Sequence, residues 1–210
     1  MRRYLTEFVG TLFFVMSIGL IVGSGSPLAS LFIGSALMVV VYMGAHVSGA
    51  HYNPAVTLAL FIRRKMPRGD LLPYWAAQIL GAIIGAYLSY MFLDRTFAPE
   101  PAATTSPAGA VLVELLYTCL LALVVLNCAA REATKGNSYF GLAIGFTIVI
   151  AAAAGGPISG GAFNPAVATG SILVNALSGG GNLANLWIYL LGPLAGGALA
   201  ALIFRMQGES

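Results

Sequence analysis

Six stretches, at about 5–22, 31–47, 73–93, 108–129, 139–155 and 184–204, contain no Lys, Arg, Asp or Glu other than Glu7 and Glu114. Each is close to the 20 or so apolar residues that a helix needs to cross the hydrocarbon of a bilayer. Backbone polar groups find no water there, so a segment of this kind survives only as a helix that satisfies its own hydrogen bonds. The whole chain agrees: 59% of its 210 residues are apolar and 8% are charged, against about 25% charged in soluble domains. A soluble protein with one large core is excluded, because too few charged side chains remain to cover its surface.

The opening MRRYLTEF leads straight into apolar sequence without a small-residue cleavage pattern, and reads as the edge of a first span rather than a removable signal. Nine of the ten basic residues (Arg2, Arg3, Arg63, Arg64, Lys65, Arg68, Arg131, Lys135 and Arg205) fall at the two ends, after Phe61, or between the fourth and fifth spans. Only Arg95 falls on the other side. Residues that merely marked helix ends would divide between both sides, so the asymmetry predicts cytoplasmic termini. The net charge of +3 comes with no basic-aromatic tract or compact zinc-ligand cluster, which leaves no case for nucleic acid as a partner. Cys119 and Cys128 share one predicted span and read as core residues.

Two shorter apolar pieces, Pro54 to Phe61 and Pro165 to about Val174, cannot span. Each begins with Pro in the first helical position behind an Asn cap, in the repeated boxes Asn53-Pro54-Ala55-Val56 and Asn164-Pro165-Ala166-Val167. They read as half-helices that enter the membrane with their positive amide ends innermost. The boxes are offset by 111 residues, as are Gly81 with Gly192 and Gly85 with Gly196; Glu7 and Thr11 match Glu114 and Thr118 at an offset of 107. Three spans per half place the second half in the opposite sense. The expectation is one all-α membrane domain over 1–210: six transmembrane helices plus two re-entrant half-helices, in inverted repeats 1–96 and 108–210 joined by the linker 97–107. The paired glycines, four residues apart, would let helices approach closely.

Half-helices entering from opposite faces would bring Asn53 and Asn164 together near the middle. Non-helical backbone is tolerated at that depth when buried in protein or facing water. Each Asn could cap its helix and still direct amide hydrogens into a channel, while the two helix ends, each about half a positive charge, oppose cations. The small residues of VSGAHY and ISGGAF suit extended chain whose carbonyls line a pore. Glu7 and Glu114, costly to bury unless satisfied, are expected to brace these loops by accepting amide hydrogens. A catalytic role is disfavoured because neither has a nucleophile, metal cluster or partner base in sequence. His46 and His51 lack a third ligand, so pore-edge or structural hydrogen bonding is expected of them in place of a metal, and no cofactor is called for.

TEFVGT, SGAHYNPAVT, GLAIGF, SGGAFNPA and GPLAGG, in that order, resemble blocks of the aquaporin family, the major intrinsic proteins, across nearly the whole chain. The resemblance implies a homotetramer in membrane lipid with one water path per subunit; the short ends and loops favour a plasma membrane. It also implies a second constriction whose positions fall here on Ile33, Ala152, Gly161 and Val167. Typical water-selective members carry an aromatic and often a His at the first two, and an Arg at the last. This chain has Val167 directly after the box, and no basic residue lies between Lys135 and Arg205.

The substitutions should widen and dry the constriction, and remove a repulsion on cations of about 4 kcal/mol for charges about 4 Å apart at an effective dielectric near 20. A dry collar still charges an ion its dehydration. Ala168, where glycerol-conducting members have Asp, and Tyr189-Leu190 in the sixth span make the pattern mixed. The expected function is therefore passive passage of water and small neutral solutes such as glycerol, urea, ammonia or hydrogen peroxide, with ions excluded. The competing readings are an ion-coupled carrier and a non-conducting junction protein closed by Tyr42, Phe146 or Tyr189.

Overall fold

A computed structural model describes residues 1–208. Among them lie eight α-helices: α1 (Arg2–Ser24), α2 (Ala29–Ser48), α3 (Pro54–Ile62), α4 (Leu71–Leu93), α5 (Pro107–Val124), α6 (Phe140–Ser159), α7 (Pro165–Ser178) and α8 (Leu186–Met206). All but α3 and α7 are long and apolar enough to cross a membrane. The 20 to 23 residues of α1, α2, α4, α6 and α8 reach about 30–35 Å at 1.5 Å per residue.

Packing is matched between the halves. Helix α1 lies along α4 as α5 lies along α8, and α2 meets α6 at the junction. Glycine makes these approaches possible: a Cβ at Gly81 or Gly85 would strike the carbonyls of Phe8 or Leu12, and one at Gly192 or Gly196 those of Val111 or Leu115. The short helices pack across the halves, α3 against α8 and α7 against α4.

Several boundaries differ from the sequence reading for identifiable reasons. Helix α7 runs a turn beyond Val174, because the Asn175 carbonyl accepts from the amides of Gly179 and Gly181 and its side chain from Thr96. Helix α6 continues through Pro157 to Ser159; the missing amide of a proline so near the end orphans only the Ala153 carbonyl, at an exposed residue. Pro107 is the first residue of α5, with the Ser106 side chain accepting from the Gly109 amide, so the helix claims the last residue of the expected linker. The end of that span, Val125–Ala129, is a π turn. Cys119 is buried as expected, but Cys128 sits in the π turn, half-buried and facing a cavity rather than the core.

Candidate functional site

The amino ends of α3 and α7 meet at the centre of the molecule. Asn53 Oδ1 accepts from the Ala55 amide at 2.8 Å, and Asn164 Oδ1 from those of Ala166 and Val167 at 2.9 and 3.4 Å, so each Asn caps its own half-helix. Each side-chain amide then crosses to the other half: Asn53 Nδ2 donates to the Phe163 carbonyl at 2.9 Å, and Asn164 Nδ2 to the Tyr52 carbonyl at 2.8 Å. An amide nitrogen has two hydrogens. One is used in the crossing, which leaves one per Asn for the cavity that both residues line.

The loops that deliver the boxes are not extended. Gly49, Ala50 and Tyr52 have positive φ of 88°, 51° and 48°, and Gly160, Gly161 and Phe163 repeat the pattern at 90°, 70° and 49°. Left-handed backbone at a bulky aromatic is unfavourable and persists only where surroundings impose it. Carboxylates impose it here. Glu7 accepts from Ser48 Oγ, the His51 and Tyr52 amides and Gln78 Nε2, at 2.7 to 3.0 Å. Glu114 accepts from Ser159 Oγ and the Ala162 and Phe163 amides, at 2.6 to 3.0 Å. Both are fully buried. The aromatic rings are seated on glycine: Tyr52 fills the space a Cβ would need at Gly10 and Gly44, and Phe163 that at Gly155.

Further supports had no signal in the sequence. Tyr74 donates to the Ser48 carbonyl at 2.7 Å, Tyr189 to the Ser159 carbonyl at 2.5 Å, and Trp75 Nε1 to the Pro54 carbonyl at 3.0 Å. Gln78 links Glu7 to Thr57, and Thr57 Oγ1 also lies 3.1 Å from His51 Nδ1. His51 is therefore held at the cavity wall, whereas His46 is exposed and borders a different opening.

Three cavities follow one another through shared walls. The central one, about 60 Å³, is bordered by both Asn residues and by apolar side chains such as Phe14, Leu37, Val125 and Ile148. Through Val41 and Ile144 it adjoins a vestibule of about 560 Å³ that contains His46, Cys128 and Lys135, on the face carrying most basic residues. Through Ile18, Ile33, Ala152, Gly161, Ala162 and Val167 it adjoins a vestibule of about 240 Å³ on the opposite face. Ile33, Ala152, Gly161 and Val167, far apart in sequence, are thus brought together at one opening, and none of the six side chains there is charged or hydrogen-bonding. The connecting segment contributes too: Phe97, Ala98 and Pro99 line the opposite vestibule, and the Ala102 amide donates to the Ile158 carbonyl at 3.0 Å.

The aromatics considered as plugs point elsewhere. Tyr42 is exposed, donates to the Ser138 carbonyl at 2.8 Å and covers Gly141; Phe146 is exposed; Tyr189 is buried on its loop.

A family model described as major intrinsic protein matches residues 1–204. The chain is 36% identical to glycerol uptake facilitator protein-like 6 of Lactiplantibacillus plantarum, over 100% of this chain and 99% of that one. It is 31% identical to aquaporin Z of Bradyrhizobium diazoefficiens, over 100% and 94%. Among solved structures, the aquaglyceroporin from Plasmodium falciparum superposes with a TM-score of 0.83 at 25% identity, covering 97% of this chain and 94% of that one.

Proposed function

The chain belongs to the major intrinsic protein family, and on that premise we propose that its water path runs through the crossing of Asn53 and Asn164 and out through an uncharged opening at Val167. It is an integral, multi-pass membrane protein and a passive channel for water and small solutes, not an enzyme. The crossed amides carry the reading. A water at this level meets one remaining N–H from each Asn, accepts both, and turns its hydrogens outward along the file. The water is then a poor link in a proton relay. The two half-helix amino ends add positive potential at the same place, a device established for aquaporin-type pores.

Small neutral solutes pass the opening formed by Ile33, Ala152, Gly161 and Val167 because no guanidinium occupies it and its wall is apolar. Ions are held back by dehydration and by the half-helix ends rather than by a fixed charge at the opening. Glu7 and Glu114 hold the loops, and with their oxygens committed to loop donors they offer no exchangeable ion site of the kind a coupled carrier needs. The subunits assemble as a homotetramer in a plasma membrane, with the basic face and both termini cytoplasmic.

Vesicles containing the purified protein and subjected to osmotic jumps test this reading. With sucrose outside they should shrink faster than empty vesicles; with glycerol or urea outside they should shrink and then re-swell. A water rate equal to that of empty vesicles would sink the proposal.

A further inference from the structure

A depression of about 460 Å³ on the basic face shares no wall with the three pore cavities; it is lined by Ile62, Arg63, Arg64 and Arg205. The arginines come from two helix ends that the packing of α3 on α8 holds side by side: Arg63 and Arg64 follow α3, and Arg205 is in the last turn of α8.

Two observations show that this cationic pocket is more than a scatter of basic residues. The first is conformational. Helix α3 ends in a Schellman motif, with the Lys65 amide donating to the Leu60 carbonyl at 2.9 Å and the Arg64 amide to that of Phe61 at 3.0 Å. The left-handed residue of this motif is normally glycine, yet here it is Arg64, at φ 54°. An arginine stands where the backbone disfavours one, and it lines the depression. The second is electrostatic. Two helix carboxyl ends supply about half a negative charge each, so Arg64 and Arg205 alone neutralise them and leave about one positive charge over. Among the described residues, Asp70 is engaged by Arg3 and Tyr4, and Glu132 by Lys135, and neither lines the depression.

An apolar side chain adjoins the charge. Ile62 lines the depression at 42% exposure. A site lined by arginines and an exposed isoleucine suits a ligand with a phosphate head and hydrocarbon tails. We propose that this depression binds the phosphodiester headgroup of an anionic phospholipid. The proposal depends on the basic face meeting the membrane surface and not on what the pore conducts.

The full chain, purified in detergent micelles carrying equal phosphatidylglycerol and phosphatidylcholine, tests it by mass spectrometry of the lipids retained after washing. The wild type should retain phosphatidylglycerol preferentially, and Arg64→Gly and Arg205→Gln should each weaken that preference about fivefold, the loss of one direct hydrogen-bonded contact to the headgroup. Arg64→Gly should also melt no lower than wild type, because glycine relieves the positive φ; this separates lost binding from lost folding. Arg68→Gln, on the same face but outside the depression, should leave the preference intact. Equal retention of both lipids overturns the proposal, as does an Arg68→Gln loss as large as that of Arg64→Gly. Abolition of the preference by millimolar inorganic phosphate would assign the pocket to a free anion instead.

Discussion

Val167 sets the character of the opening, because the residue after the second box projects where both cavities meet. Val167→Arg should fill that opening and restore a cation to it. Glycerol permeability is expected to fall about tenfold or more, for which an added barrier of about 1.4 kcal/mol suffices, while water permeability stays within a few-fold. Osmotic re-swelling rates check this, and unchanged glycerol flux would show that solutes do not pass Val167. At the buried carboxylates, Glu7 serves four donors and Glu114 three. Each stranded donor costs about 1–3 kcal/mol. Thermal unfolding in detergent should therefore show both Glu7→Ala and Glu114→Ala well below wild type, with Glu7→Ala the lower; equal melting temperatures would mean the loops do not depend on them.

At the scale of the elements, glycine decides which helices can touch and where the aromatic wedges sit. Gly44→Ala places a methyl in the volume of the Tyr52 ring, and Tyr52 supplies the carbonyl that holds Asn164. This variant should lose both stability and water flux. Gly156→Ala is the counter-example: nothing lies near its Cβ and its φ is ordinary, so it should gain about 0.5–1 kcal/mol. A melting temperature for each, read beside the flux, distinguishes the two outcomes.

What could be read from the sequence follows the same division. The spans, the half-helices and the pairing of Glu7 with Glu114 were legible because each rests on local pattern: apolar run length, an Asn-Pro start, a repeated offset. The left-handed Tyr52 and Phe163, the π turn after Val124 and the role of residues 97–99 at the vestibule were not. No local preference places an aromatic at positive φ, and the segment 97–99 gains its place from distant parts of the chain, with Phe97 against Gly19 of α1 and the following Ala102 amide on the Ile158 carbonyl of α6. The small residues of VSGAHY and ISGGAF permit an extended chain; the amides drawn to one carboxylate decide otherwise.

For the whole molecule, the proposed water path runs through the three cavities in series, past the Asn53–Asn164 crossing in the central one and out by Val167. Val167→Trp blocks that exit with a ring while leaving the boxes, the braces and the basic face alone. The decisive measurement is the shrinkage rate of vesicles carrying equal amounts of folded wild-type or Val167→Trp protein after a sucrose jump. The account predicts fast shrinkage for the wild type and a rate near that of empty vesicles for Val167→Trp. Equally fast shrinkage by both, with the variant as thermally stable as its parent, would contradict it.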